Sequence, residues 1–416
     1  LAVTSPANGA LISNSAALAY TISGSCSEGG QSVVFSGDIS GTVTCTTGTP
    51  NYSKAFDLSA LSDGPVNITV NHSDAAGTAA VAVNQTHTLD KTAPTISYTS
   101  PAANAFINAT TKSSFSVSGS CNSNTRTITF SGAAAGTIAC DTGANPNFTK
   151  ALDFSANADG IVNLVATYTD SAGNSASSNR NFTLDTTLPT FTLTPPADTI
   201  ISLAEANSLH LAGTCSEHNE NVSFTGGTFA TAVNCIVGTW DVNLNMFAEA
   251  EGAVNVTITH VDDAGNVSAS QVVALTKDSG VPTLAFDALV SPNNLVNNAQ
   301  KSAFTVLGAC SEDGRNVSIS GSAQAQNVIC GNPTTHRFSA NINVNAAVDG
   351  ALVILANHTD LGGNPAVQAS LNLTKDIVAP TLDVLSPVAG AIITLSNMAS
   401  FPVSGNCGEA GRNVVV

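Results

Sequence analysis

The sequence predicts an all-β protein, a tandem array of β-sandwich domains with about seven strands each, arranged as a rod. Three observations support this prediction. The chain of 416 residues repeats its landmarks at intervals of 94–97 residues. Hydrophobic and polar residues alternate at period two, and turn residues recur at about the 8–12-residue spacing typical of sandwiches. No segment shows a convincing helical period.

The cysteines define the repeat. Each of four repeats carries a first Cys and a second Cys 19 or 20 residues later. The predicted disulfides are Cys26–Cys45, Cys121–Cys140, Cys215–Cys235 and Cys310–Cys330. Cys407 begins a fifth pair, whose partner is expected beyond Val416. The alternatives are a metal site or a reactive thiol, and zinc is disfavoured because no His repeats near the cysteines to complete a set of four ligands. Disulfides are favoured, and they indicate an oxidising compartment.

Turn residues and prolines mark where each repeat ends. An acidic residue followed by Gly recurs, then an Asp-x-x-Gly turn, then an Asp with a Pro four residues later. Proline fixes φ and cannot donate to a sheet ladder, so it is a natural boundary. The predicted domains are repeat 1 at 1–91, repeat 2 at 92–187, repeat 3 at 188–280, repeat 4 at 281–378, and the start of a fifth repeat at 379–416.

Alternation also predicts which side chains face the core. In repeat 1 these include Tyr20 and Ile22 before the first Cys and Val33 and Phe35 after it, and the other repeats are hydrophobic at the same places. Seven short strands in about 100 residues suit an immunoglobulin-like topology. The cysteines are too close in sequence for the inter-sheet bridge of antibody domains. We therefore expect each disulfide to staple a loop at one end of its sandwich, stabilising it by about 3 kcal/mol.

One run of residues resembles a known family. Repeat 2 reads Val-Asn-Leu-Val-Ala-Thr-Tyr-Thr-Asp-Ser-Ala-Gly-Asn at 162–174 and Leu-Asp-Thr-Thr-Leu-Pro at 184–189, and repeat 3 reads Val-Asp-Asp-Ala-Gly-Asn at 261–266. These runs resemble the bacterial immunoglobulin-like (Big-type) repeats of large surface and adhesin proteins. The resemblance spans the whole chain and implies surface display, adhesion or spacer duty. One cysteine pair per repeat is not general in that family, which indicates a distinct branch.

Repeating aspartates are the candidate metal ligands. One set opens the Asp-x-x-Gly turns, and a second set precedes the proline at each joint. The two sets are Asp74, Asp170, Asp262 and Asp360, and Asp90, Asp185, Asp278 and Asp376. Calcium takes several oxygen ligands, so calcium at each joint is one interpretation. The alternative is turn chemistry, in which Asp caps its own backbone and Gly takes a positive φ.

A set of histidines offers a second candidate site. His72, His260 and His358 occupy one inward strand position, which Tyr168 takes in repeat 2. A shared His–Asp pair is one interpretation, because an Asp follows two residues later each time. Tyr168 favours the other interpretation, an amphipathic residue that closes the end of the core.

Composition narrows the function. The net charge is −17, which argues against partners that are nucleic acid or anionic lipid. No apolar run is long enough to insert in a membrane, and no catalytic or cofactor motif occurs. We expect a non-catalytic extracellular stalk of a bacterial surface protein, structural and adhesive, whose partners are its neighbouring repeats and a surface ligand or identical chains. The alternatives are a self-associating subunit of a fibre, sheath or surface layer, and carbohydrate-binding accessory repeats.

Overall fold

Strands form where the sequence alternates, since successive side chains of a strand point to opposite faces. In repeat 1 the strand Tyr20–Ser25 buries Tyr20 and Ile22 between exposed or half-buried neighbours. The next strand buries Val33 and Phe35 in the same way. The predicted inward positions are therefore confirmed in this repeat, and the burial pattern recurs in the others.

The computed structural model describes residues 1–122, 126–289, 294–331 and 335–416. By their contacts these residues divide into two compact units. One is Leu1–Thr190 with His260–Ala269, and the other is Phe191–Thr259 with Ser270–Val416. No helix in the described part of the chain is both long and apolar enough to cross a lipid bilayer.

Repeats 1 and 2 contain the first sixteen strands and a short helix. The elements of repeat 1 are β1 Ala2–Ser5, β2 Leu11–Ile12, α1 Asn14–Ala17, β3 Tyr20–Ser25, β4 Ser32–Gly37, β5 Gly41–Thr44, β6 Asn51–Phe56, β7 Gly64–His72 and β8 Val83–Leu89. Those of repeat 2 are β9 Ile96–Ser100, β10 Phe106–Ile107, β11 Phe115–Cys121, β12 Thr127–Gly132, β13 Gly136–Ala139, β14 Asn147–Leu152, β15 Gly160–Thr169 and β16 Ser175–Leu184.

Repeats 3 and 4 follow the same order, and a strand pair begins the fifth. The strands of repeat 3 are β17 Phe191–Thr194, β18 Ile200–Ile201, β19 Leu209–Cys215, β20 Asn221–Gly226, β21 Phe229–Asn234, β22 Thr239–Leu244, β23 Gly252–His260 and β24 Gln271–Lys277. Those of repeat 4 are β25 Leu284–Phe286, β26 Leu295–Val296, β27 Phe304–Cys310, β28 Asn316–Gly321, β29 Gln326–Ile329, β30 Arg337–Ile342, β31 Gly350–His358 and β32 Ala369–Lys375. The fifth repeat contributes β33 Leu382–Ser386 and β34 Ser404–Cys407.

Each complete repeat is a sandwich of a three-stranded and a five-stranded sheet. In repeat 1 the orders are β1-β3-β6 and β2-β8-β7-β4-β5, and repeats 2 to 4 have the equivalent orders. The pair β2–β8 is parallel, whereas β7 and β8 are antiparallel. The described residues of each complete repeat form eight strands, close to the predicted count of about seven, because the first strand is divided into two pieces that join different sheets.

The repeated Gly two residues before each first Cys has a packing role. A Cβ added to Gly119 would lie 2.1 Å from the carbonyl oxygen of Ser97 and 2.3 Å from the Phe148 ring. In repeat 3 a Cβ added to Gly213 would likewise lie 2.7 Å from the Trp240 ring. Only Gly lets the first strand and the sixth-strand aromatic pack this closely, which explains a landmark that the sequence showed without a reason.

Each disulfide joins the two sheets at one end of a sandwich. In repeat 2, Cys121 ends β11 of the small sheet and Cys140 directly follows β13, the edge strand of the large sheet. The four bonded pairs are those that the spacing predicts, with Cα–Cα distances of 5.9–6.4 Å. The expected role as a loop staple is incomplete, because the bond also connects the sheets. Cys407 is free and exposed.

Candidate functional site at the joints between repeats

The Asp-x-x-Gly turn of repeat 2 closes the hairpin formed by β15 and β16. Asp170 Oδ1 accepts hydrogen bonds from the backbone N–H groups of Ala172, Gly173 and Asn174, each at 2.9 Å. Gly173 has a φ of +98°, a conformation that Gly adopts without strain. The aspartate therefore shapes its own turn, as the turn-chemistry interpretation of the sequence expects.

The side-chain amide of Asn174 leaves this turn and reaches repeat 1. Its Oδ1 accepts from the backbone N–H of Asn14 at 2.8 Å, and its Nδ2 donates to the carbonyl oxygen of Asp90 at 2.8 Å. The second Nδ2 hydrogen is directed to Asp170 Oδ2 at 3.0 Å. Asn174 is buried. One donor and the acceptor of this side chain thus connect the two repeats, while its second donor is bonded to its own turn.

The turn of repeat 3, which belongs to the first unit, contacts repeat 2 in the same way. Asn266 Oδ1 accepts from the N–H of Ala109 at 2.7 Å, and Nδ2 donates to the carbonyl oxygen of Asp185 and to Asp262 Oδ2, both at 2.9 Å. Asn266 is only 2% exposed. The side chain of Asn108 adds a hydrogen bond to the backbone of the same turn at 3.0 Å.

The turn of repeat 4 repeats the contact within the second unit. Asn364 Oδ1 accepts from the N–H of Leu203 at 2.7 Å, and Nδ2 donates to the carbonyl oxygen of Asp278 at 2.7 Å. Asp360 Oδ2 takes the other Nδ2 hydrogen at 2.9 Å. Asp278 also accepts from the N–H of Gly362 through its carboxylate, at 3.1 Å. Three joints therefore share one hydrogen-bonding arrangement.

This asparagine amide takes the place of a peptide group in a β-ladder. At the end of the parallel pair β2–β8, the N–H of Asp90 donates to the carbonyl oxygen of Ile12 at 2.9 Å. The next bond of a regular parallel ladder would run from the N–H of Asn14 to the carbonyl oxygen of Asp90. The Asn174 amide lies between those two groups, accepting from one and donating to the other. The next repeat thus adds one rung to the sheet of the preceding repeat.

The acidic residue of each acidic-Gly turn holds the linker. The backbone N–H of Thr186 hydrogen-bonds to Asp159 at 3.0 Å and, with the hydroxyls of Thr186 and Thr187, holds the pKa of that carboxyl below its usual value. In repeat 3 the hydroxyl and N–H of Ser279 likewise lower the pKa of Glu251. The few residues that follow each last strand are therefore tied to their own repeat.

The two sets of predicted aspartates are connected across repeats through an asparagine side chain and not within one repeat. Asp74 and Asp90 lie at opposite ends of the β7–β8 hairpin, because Val70 pairs with Val83 and Gly64 with Leu89. Asp90 is instead connected to the turn of repeat 2 through the asparagine bridge. The same holds for Asp185 with Asp262 and for Asp278 with Asp360, whereas Asp376 is exposed.

Within the described ranges, no group of three or more His, Cys, Asp or Glu side chains is placed to hold a metal ion. Both carboxylate oxygens of Asp170 accept N–H bonds, and the Asn174 amide lies between Asp170 Oδ2 and the backbone carbonyl oxygen of Asp90. An ion bound by these two oxygens would have to displace that amide. Calcium bound elsewhere at the joints stays a prediction.

The inward histidines contact backbone. His72 Nδ1 lies 3.2 Å from the carbonyl oxygen of Ser32, and His358 Nδ1 lies 3.0 Å from that of Asn316. Both imidazoles are 2% exposed. These contacts match the interpretation that the residue closes the end of the core.

The asparagine is the residue that sequence reasoning missed. It directly follows the Gly of the Asp-x-x-Gly turn in repeats 2, 3 and 4, but Thr78 stands there in repeat 1. Repeat 1 still makes the turn, since the N–H of Thr78 donates to Asp74 Oδ1 at 2.8 Å. Thr78 is exposed. A fifth turn position occupied by Asn in three of four repeats was the available signal.

Comparison with known proteins supports the predicted resemblance. Residues 50–138 match the family described as "Bacterial Ig-like domain (group 3)". This span has the length of one repeat but runs from β6 of repeat 1 into β13 of repeat 2. No curated protein matches the chain.

Several solved structures are similar at low identity. One is a Ca²⁺-stabilized adhesin that helps an Antarctic bacterium reach out and bind ice (21% identity, 90% of this chain and 98% of that chain, TM-score 0.34). Another is a tetra-tandem repeat in the extending region of a large adhesion protein (19% identity, 89% and 100%, TM-score 0.33). A third is the D1–D4 ectodomain fragment of ICAM-5 (13% identity, 90% and 99%, TM-score 0.39). The resemblance to bacterial immunoglobulin-like repeats is thus confirmed over residues 50–138 by the family match, and the shared strand order extends the same fold to the other repeats.

Proposed function

We propose that the chain is a stalk segment of an extracellular bacterial surface protein, structural and adhesive and without catalytic activity. The observation that carries the proposal is the joint. Three successive pairs of repeats use the same buried asparagine to connect the turn of one repeat to the sheet edge of the repeat before it. A protein that only tethered independent domains would not need this arrangement.

Each repeat also has its own hydrophobic core and its own disulfide, as an independently folding domain does. Four separate hydrophobic clusters, each within one repeat, form the cores. Each repeat has its own disulfide, and disulfides persist in oxidising surroundings such as the cell exterior. Stability is then local to a repeat and is supplemented by contact with its neighbours, as in other repeat proteins.

The proposal is tested by the length of the 416-residue chain in solution. Strands of about ten residues make a repeat roughly 35 Å long, so four repeats in line reach about 140 Å. A compact globule of this length would have a radius of gyration of about 22 Å and a diameter near 60 Å. Small-angle scattering should give a maximum dimension above about 140 Å, and a value near 60 Å would refute the stalk.

Self-association is distinguished by sedimentation velocity over a range of concentrations. Sheet edges such as β5 are not paired among the described strands, and unpaired edges permit lateral contacts. A stalk should sediment as one species at every concentration, whereas a sheath or fibre subunit would polymerise.

The carbohydrate-binding alternative receives no support from the structure. Sugar platforms use exposed aromatic rings, but Trp240 and all four Tyr residues of the chain are at most 7% exposed. Among the described residues the exposed rings are Phe106 and Phe247, which lie in different repeats. We therefore do not propose it.

A further inference from the structure

The parallel edge of repeat 4 reproduces the geometry of the three joints but carries no turn. The N–H of Asp376 donates to the carbonyl oxygen of Val296 at 3.0 Å, and Val296 pairs with Lys375 as Ile12 pairs with Leu89 in repeat 1. The two groups that an asparagine amide bridges at the other joints are here the N–H of Asn298 and the carbonyl of Asp376. We call this pair of groups the repeat 4 socket.

The repeat 4 socket is uncovered. Asn298 and Asp376 are both exposed, whereas Asp90, Asp185 and Asp278 are half-buried beneath the turn of the following repeat. Among the residues that the structure describes, no backbone–backbone hydrogen bond outside the strand ladders reaches the N–H of Asn298 or the carbonyl of Asp376. The backbone thus presents one donor and one acceptor at the spacing that holds an asparagine amide in three other places.

We propose that the repeat 4 socket binds the hairpin turn of another immunoglobulin-like repeat, one whose turn reads Asp-x-x-Gly-Asn. The argument is continuity with the three filled joints, each of which is closed by such a turn. The occupant must supply an acceptor and a donor on opposite sides of one planar group, as a peptide does, and a second donor for its own Asp. An asparagine amide has this set of groups.

The fifth turn residue therefore selects which repeat can dock. A threonine hydroxyl has a single hydrogen, so it cannot serve both the turn Asp and the carbonyl of the preceding repeat. When a second copy of the chain supplies the occupant, its repeats 2 to 4 carry the required turn. Its repeat 1, with Thr78, does not and is excluded. The inference concerns this interface and holds whether or not the array serves adhesion.

Site-resolved hydrogen exchange of backbone amides tests the socket. In the 416-residue chain, the amide of Asn14 should be protected and that of Asn298 should exchange rapidly. A second chain has residues 379–416 replaced by a second copy of residues 188–280, which keeps the native spacing from Asp to Pro. Exchange at Asn298 should then slow at least tenfold, because the turn of the added copy covers it.

The matched control is the same extended chain with Asn266→Thr in the added copy alone, which should leave Asn298 exchanging rapidly. Equal exchange at Asn298 in the two extended chains would overturn the proposal. Strand amides of the added copy report whether it folds. If the added copy does not fold, Asn174→Thr in the chain without the added copy is the deciding variant. An exchange rate of the Asn14 amide that rises at least tenfold supports the requirement for Asn at the fifth turn position, and an unchanged rate overturns it.

Discussion

Replacing Asn266 by Asp changes one atom of the best-buried bridge. The carboxylate keeps an oxygen that can accept from the N–H of Ala109 at 2.7 Å. It has no hydrogen for the carbonyl oxygen of Asp185 or for Asp262 Oδ2, each of which now lies 2.9 Å from Nδ2. The substitution therefore places a negative oxygen beside two acceptors in a site that is 2% exposed.

The cost follows from the two acceptors left without donors. A buried group without its partner costs about 1–3 kcal/mol, so two of them weaken the joint by roughly 2–6 kcal/mol. Taking about 3 kcal/mol, and about 1.4 kcal/mol for each factor of ten, exchange of the Ala109 amide should accelerate on the order of 100-fold. The core strands of repeats 2 and 3 should keep their protection, because their hydrophobic clusters are separate.

Hydrogen exchange of the 416-residue chain measures this effect at Ala109. Asn255→Asp is the matched control, because it makes the same charge change at an exposed position of repeat 3 and should leave Ala109 unaffected. If Ala109 exchanges at the native rate in the Asn266→Asp chain while the cores stay folded, the amide bridge does not hold the joint and the reasoning fails.

Three further predictions concern the repeats and their joints. Burial lowers the pKa of His87, so the folded repeat resists a proton that the unfolded chain binds below about pH 6.5. The stability of the repeat should therefore be full above that pH and fall below it, and His87→Leu should reduce the drop in melting temperature between pH 7.5 and pH 5. An equal drop in both chains would contradict this prediction. Removal of Cys215–Cys235 by a double Ala substitution should lower the free energy of unfolding of repeat 3 by about 3 kcal/mol, as measured by denaturant titration. In the unmodified chain, non-reducing peptide mapping should recover all four predicted pairs, and disulfides between repeats would refute the pairing. Calcium bound at the joints, outside the position that the asparagine amide occupies, is expected to raise the melting temperature of the chain by mass action. Equal melting temperatures with calcium and with chelator would contradict this prediction.

The sequence by itself determined the features that depend on local pattern. Period-two alternation predicted the buried face of strands such as Tyr20–Ser25, because side chains of a strand point to alternate faces whatever lies opposite. The cysteine spacing predicted the bonded pairs, because one interval recurred in four repeats. The same repetition placed the turn aspartates and the glycine before each first Cys without saying what they contact.

Only the tertiary structure decided which distant groups meet. The division of the first strand between two sheets, and the linking of those sheets by each disulfide, depend on how strands pair across a repeat. The asparagine bridge depends on residues much farther apart: Asn14 and Asn174 are 160 positions apart in sequence. The pattern Asp-x-x-Gly-Asn describes a turn, and a turn is satisfied by its own backbone bonds. That its last side chain completes the sheet of the preceding repeat is a property of two folded domains in contact, which no local pattern encodes.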